Sequence, residues 1–214
     1  MTDIDIFNLE DPVIDDSFLF KMLDSETQLE SSFMPEGRVF KRGEGRRMMR
    51  HITKLELAAD LLNNIELPAP GETIHVISNA KYDFFNVIMA AATKTAPVFD
   101  FYGSTWTMSK YNVQDLLSAL DNGTIKNATI LAGTYFKRRE SPVYAQLVTG
   151  LTKHNQRFIA FENHTKVALL RSKDAHLVFE GSANFTANPR LENYIICNDQ
   201  ELYEFHRAWM EELF

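Results

Sequence analysis

The sequence holds a single cysteine, Cys197, so no disulfide can form within the chain. Its setting, the apolar run "YIIC", is that of a buried small hydrophobe rather than a nucleophile. Long apolar runs are missing as well. None approaches the roughly 20 residues that a bilayer-spanning helix needs, so no membrane association is expected. There is no internal repeat and no low-complexity segment. The opening stretch "MTDIDIFNLEDPVIDD" is acidic, the wrong sign for a secretory or mitochondrial signal. Together with the lone cysteine it points to a reducing, cytoplasmic compartment.

Bulk positive charge is also lacking. The formal net charge is -7, but it is unevenly spread. Residues 1–32 hold nine acids and one lysine, whereas the remaining residues hold 20 acids and 21 bases. The body is therefore nearly neutral and offers no general attraction to a polyanion. Local patches would have to supply it. Two are visible: "RVFKRGEGRRMMR" from Arg38 to Arg50, and "KRR" from Lys137 to Arg139. Each is equally readable as a solvated surface.

Residues 1–35 read as an acidic, flexible arm, with "SFLFKML" (Ser17 to Leu23) apolar enough to dock on a protein partner. Residues 36–73 read as a basic loop, through Arg50, followed by a helix. In that helix Ile52, Leu55, Ala58, Ala59 and Leu62 share a face. Residues 74–214 form the main domain. "IHVIS", "PVFDFYGSTWTM" and "ATILAGTYF" read as strands. They alternate with the helical stretches "KYDFFNVIMAAATKT", "SKYNVQDLLSAL" (capped by Ser109 or Asn112) and "SPVYAQLVTGLTKH". Four strands follow in "RFIAFE", "HTKVALL", "AHLVFEGS" and "NYIICN", and "QELYEFHRAWMEELF" closes as a helix. The pattern predicts an α/β domain with a mixed, mostly parallel β-sheet flanked by helices on both faces.

The chemistry concentrates between Glu162 and Thr186, "ENHTKVALLRSKDAHLVFEGSANFT". In a strand, His164 and Lys166 face the same way, roughly 6.6 Å apart. The strand turns at "RSKD" and returns toward Gly-Ser-x-Asn. With Leu170 and Ala175 flanking the turn, Lys166 lies opposite Phe179 and His164 opposite Gly181. A one-residue slip puts His164 opposite Ser182, and the sequence leaves both registers open. Either one brings Ser182 and Asn184 beside the histidine, with Gly181 allowing backbone to approach a ligand. An imidazole, an ammonium and neutral donors together suit a tetrahedral phosphate. The lysine neutralises charge and the histidine attacks or protonates.

Those residues resemble the signature of the phospholipase D superfamily, H-x-K-x4-D-x6-G-S-x-N. "HTK" stands at His164 to Lys166 and "GSAN" at Gly181 to Asn184. At the family's spacing from the lysine stands Arg171. Counting back from the glycine, Asp174 is the candidate for the family aspartate, so the hairpin turn carries three extra residues. "FT" at Phe185 and Thr186 and "EN" at Glu192 and Asn193 extend the likeness.

The resemblance implies a phospholipase D-like lobe and a set of catalytic residues: His164, Lys166, Ser182, Asn184 and Glu192, the last buttressing the histidine. It implies hydrolysis of a phosphodiester through a phosphohistidine, with a second histidine as acid and no metal or other cofactor. His51, His75, His154, His176 and His206 lack the motif's context. The second histidine is therefore expected from another copy of the chain, in a homodimer. Nucleic acid is the expected substrate, with Arg138, Arg139 and Tyr135 as candidate binding residues. Tyr102 and Trp106 are further stacking candidates, although packing is the simpler reading of all three aromatics. The alternative is a catalytically silent module that binds nucleic acid or phosphate. A lipid phosphodiesterase is disfavoured because no basic amphipathic helix is evident.

Overall fold

The computed structural model describes residues 44–79, 81–187 and 190–214. The acidic arm, its apolar segment and the basic residues up to Arg42 lie outside the described residues. Helix α1 spans Glu44–Ile65. Residues 44–50, expected to be loop, are thus its first turns, and the arginines and methionines there are good helix formers. Ala58 and Leu62, one turn apart, are buried, and Lys54 reaches Asp83 at 2.7 Å. These contacts fix the helix on the body.

The main domain follows in the order β1 (Thr73–Asn79), α2 (Phe84–Lys94), β2 (Val98–Thr105), α3 (Lys110–Asp121), β3 (Ile125–Gly133), α4 (Thr134–Arg139), α5 (Ser141–Lys153), β4 (Arg157–Phe161), β5 (Val167–Arg171), β6 (His176–Gly181), β7 (Leu191–Asn198) and α6 (Gln200–Glu211). Ser109 is the cap of α3, its side chain accepting from the Asn112 backbone N–H. Pro142 sits in the first turn of α5, where its missing N–H costs nothing.

The strands form one seven-stranded sheet in the order β1-β7-β6-β5-β2-β3-β4. The sheet is mixed. Against the mostly parallel sheet expected, only β2–β3 and β3–β4 pair in parallel and the other four pairings are antiparallel, because β5, β6 and β7 follow one another without crossover helices. Only β5 and β7 run against the common direction of the other strands.

Alternation along the strands sends side chains to two cores. On one face Phe101, Ala168, Leu170 and Phe179 pack against α1, α2, α3 and α5. On the other Tyr102, Val167, Leu169 and Val178 pack under Tyr203 and Met210 of α6. Burying one such side chain contributes about 1.5–3 kcal/mol. Both faces are therefore covered, as the α/β pattern requires.

This topology gathers chain ends. The carboxyl ends of β1, β2, β3 and β6 and the amino ends of β5 and β7 lie at the same end of the sheet. The loops there hold Trp106, Asn163 to Lys166 and Ser182 to Phe185, and Glu192 lies at the start of β7. A crevice at the carboxyl ends of the strands is where open α/β sheets place their ligands.

Candidate functional site

His164 and Lys166 are not within a strand, because β5 begins only at Val167. Their segment is held by a buried amide instead of a ladder. The side-chain N–H of Asn163 donates to Ser104 Oγ at 2.9 Å, to the Thr105 carbonyl at 3.3 Å and to the Leu131 carbonyl at 3.4 Å. Its oxygen accepts from the Thr165 N–H at 3.0 Å and the Thr165 hydroxyl at 2.8 Å. Asn163 is buried, so these bonds form where water cannot compete. They tie the His-x-Lys segment to the ends of β2 and β3. Sequence reasoning passed over Asn163, because an asparagine before a strand reads as an ordinary turn residue.

The hairpin register differs from both expected ones. Leu170 pairs with Leu177 and Val167 with Glu180, and the Gly181 N–H donates to the Lys166 carbonyl at 3.3 Å. Lys166 thus lies opposite Gly181, two positions beyond the expected Phe179. The cause is the turn: Arg171 pairs with His176 and the Ser172 N–H bonds the Ala175 carbonyl, so the reversal begins two residues later. A shift of two keeps every side chain on its face.

Gly181 is needed for a reason other than ligand approach. A Cβ there would come within 2.8 Å of the Asn193 carbonyl oxygen on β7, so the glycine lets β7 close on β6. That closure brings Glu192 to the site, where it accepts a hydrogen bond from the Ser182 hydroxyl. Ser182 Oγ also accepts from the Asn193 N–H at 3.3 Å. The Lys166 ammonium donates to the His164 carbonyl at 2.5 Å and lies 3.1 Å from His164 Nδ1. Partial burial pushes the Lys166 pKa below the ordinary lysine value, and the charge of Glu192 partly opposes that shift. His164 is exposed and Lys166 half-buried.

Asn184 follows in the same loop, and its Oδ1 is buried with no hydrogen-bond partner among the described residues. The loop itself is tethered. The Phe185 N–H donates to Thr105 Oγ1 at 3.0 Å, and the Phe185 carbonyl accepts from the Ser109 N–H and from Asn112 Nδ2, each at 2.9 Å.

The segment expected to end a strand at "TYF" turns into the short helix α4 after Gly133. This turn buries Phe136 and presents Tyr135. Tyr135 stacks on Trp106, with centroids 4.6 Å apart and planes 6° from parallel. Trp106 in turn tilts against His164 at 5.6 Å. A Cβ at Gly133 would lie 2.5 Å from Trp106 Cδ1, so only glycine lets the indole settle there. Arg139 lies over the Tyr135 ring, its guanidinium carbon 6.0 Å from the centroid. Arg138 is exposed on the same short helix. Tyr102, by contrast, is buried on the α6 face and donates to Glu211 at 2.5 Å. It is a packing residue and no stacking surface.

Asp174 is exposed in the β5–β6 turn, at the far end of the hairpin from His164. Arg171, at the family's aspartate spacing, is ion-paired with Asp100 across the β2–β5 register. The remaining histidines lie elsewhere. His51 meets Asp115 at 2.6 Å, His154 meets Asp121 at 3.1 Å and His206 meets Glu180 at 3.3 Å. His176 packs edge-on against Tyr203, and His75 is exposed on the edge strand β1. Among the described residues no group of three His, Cys, Asp or Glu side chains is placed to hold a metal ion, and no helix is long and apolar enough to cross a membrane.

No family model matches the chain, and no curated protein matches it in sequence. Solved structures do match in fold. One is a phospholipase D family member, Nuc from Salmonella typhimurium, with a TM-score of 0.51 at 15% identity, over 66% of this chain and 92% of that one. Another is the polyphosphate kinase from Porphyromonas gingivalis, with a TM-score of 0.50 at 10% identity, over 64% of this chain but only 25% of the kinase. The seven-stranded mixed sheet with its flanking helices is thus the fold of the phospholipase D family member.

Proposed function

We propose that the protein is a phosphodiesterase that cleaves nucleic acid through a phosphohistidine, without a metal, in a site shared by two copies of the chain. The observation that carries this reading is the meeting of His164, Lys166, Ser182 and Glu192 at one end of the sheet, on a fold shared with a phospholipase D family member.

The chemistry follows from the atoms present. With Lys166 donating to His164 Nδ1, a neutral ring carries its proton on Nε2 and cannot attack through that nitrogen. A phosphate offers Lys166 a better, charged acceptor. Once the lysine turns to it, Nδ1 can hold the ring proton, and the Nε2 lone pair faces the phosphorus. Glu192, whose charge already acts on Lys166, steadies the positive charge that the ring gains as Nε2 bonds the phosphorus. Attack forms the P–N bond and breaks the bond to the leaving oxygen, which takes a proton from the opposite histidine. Water next attacks the phosphorus and gives a proton back to that histidine, and the P–N bond breaks. The Ser182 hydroxyl and the Asn184 side-chain N–H orient the phosphate oxygens by donating to them. The other five histidines are exposed or engaged elsewhere, which favours a second copy as the source of the acid.

The test is incubation of the purified protein with single- and double-stranded DNA and RNA, with and without EDTA, beside His164→Ala. Cleavage that survives EDTA and is lost in the variant supports the reading. Binding of nucleic acid with no cleavage by either protein would replace it with a silent binding module.

A further inference from the structure

We infer that the site takes single-stranded nucleic acid, and that an unpaired base next to the scissile phosphodiester is held between the ring of Tyr135 and the guanidinium of Arg139. This rests on the nuclease reading above and narrows its substrate. Four planar groups follow one another as neighbours: His164, Trp106, Tyr135 and Arg139. The steps between neighbouring rings are 5.6 Å and 4.6 Å, and the last step, to the guanidinium carbon, is 6.0 Å. A strand whose phosphodiester lies at His164 therefore carries a neighbouring base past Tyr135.

This series is built to present a ring rather than to fill the core. Trp106 is half-buried and seated by Gly133, while Tyr135 is 36% exposed. A fixed indole behind it holds the phenol flat, so stacking on its outer side costs little ordering. Arg139 is more than half exposed, and its ion pair with Glu140 is long, at 3.8 Å. A base needs van der Waals spacing of about 3.5 Å on each side, so Arg139 has to retreat by only roughly 1 Å to admit one. The base then gains stacking from below and a cation–π contact from above.

The surrounding charge decides between phosphodiester classes. Lys137, Arg138 and Arg139 form the last turn of α4. Three cations beside an aromatic ring repel a quaternary ammonium headgroup, which would otherwise favour such a ring. They attract the phosphates that flank a base. Paired bases are already stacked on one another and offer no face, so the platform favours an unpaired strand.

The experiment uses the full chain carrying His164→Ala, so that substrate is not consumed. Binding is measured for a fluorescent single strand, for its duplex, and for a strand of the same length with abasic sugars, each as DNA and as RNA. The single strand, in at least one sugar form, should bind more tightly than both its duplex and the abasic strand. Adding Tyr135→Ala should weaken the single strand about 5- to 100-fold and leave the abasic strand unchanged, while Tyr135→Phe should keep the parent affinity. Equal affinity for the single and abasic strands, or a Tyr135→Ala variant that binds like its parent, overturns the inference. A wild-type protein that cleaves strands without regard to bases would sink this inference and leave the nuclease reading intact. Base-dependent binding with no cleavage by wild type would do the reverse.

Discussion

The hydroxyls of Ser104 and Thr165 lie 2.6 Å apart, and the Asn163 amide bonds to both. One residue beyond the pair on each chain segment stand Thr105, which anchors the Gly-Ser-x-Asn loop through Phe185, and Lys166. The knot therefore joins the two halves of the site. Asn163→Ala should strand buried acceptors at a cost of about 1–3 kcal/mol, lowering the melting temperature by about 2–4 °C for each kcal/mol. Turnover, measured well below that temperature, should fall at least ~10-fold with KM nearly constant, since misplacement weakens the transition state more than binding. A variant that loses stability but keeps kcat would mean the knot only supports the fold.

His164→Ala and Lys166→Ala should each cut turnover by at least ~10³. The first side chain is exposed and the second half-buried, so little packing is lost and the melting temperature should move by no more than a few degrees. Asp174→Ala should leave turnover within a few-fold, because that side chain sits in the turn at the opposite end of β5 and β6. An Asp174 effect as large as that of His164 would contradict its position.

Long-period signals survived translation into structure, and short-range geometry did not. The apolar face of α1, the helical stretches of α3, α5 and α6 and the strands between them were legible because hydrophobic patterning follows from burial, and burial is what the two cores show. The β5–β6 register was not, because it depends on which residue starts the turn; Ser172 bonding to Ala175 is a local hydrogen-bond choice with no compositional mark. Helix α4 was hidden inside an apolar stretch that looks like a strand end, and the close packing of Trp106 on Gly133, where the strand stops, depends on a residue remote in sequence from the helix. Of the site, the motif residues were readable from spacing. Asn163 and the Trp106–Tyr135 stack were not readable as parts of it, since each acts through partners remote in sequence.

The pH profile should carry the mark of Lys166. Burial holds its pKa below the ordinary value, against the pull of Glu192. A lysine that must be charged to meet phosphate loses its proton as pH rises, so the alkaline decline of kcat/KM should begin below the range of an unperturbed lysine. Glu192→Gln removes the influence that raises the Lys166 pKa, and the decline should move to still lower pH. An alkaline limb that stays put in Glu192→Gln would show that another group controls it.

The active unit should be a twofold dimer with one composite site. The two steps need a nucleophile and an acid on opposite sides of the phosphorus. One chain offers one histidine in the motif's setting, and a twofold axis sets the same patch against itself. A mixed dimer of wild type and His164→Ala would hold a single histidine in its only site and should be inactive. After free exchange of equal amounts, about a quarter of the dimers are fully wild type, so activity should settle at about half that of the same wild-type protein alone. Independent sites would show no loss on mixing. A protein that stays monomeric by light scattering while keeping full, His164-dependent activity would rule out the shared site, and the acid would then have to come from within one chain.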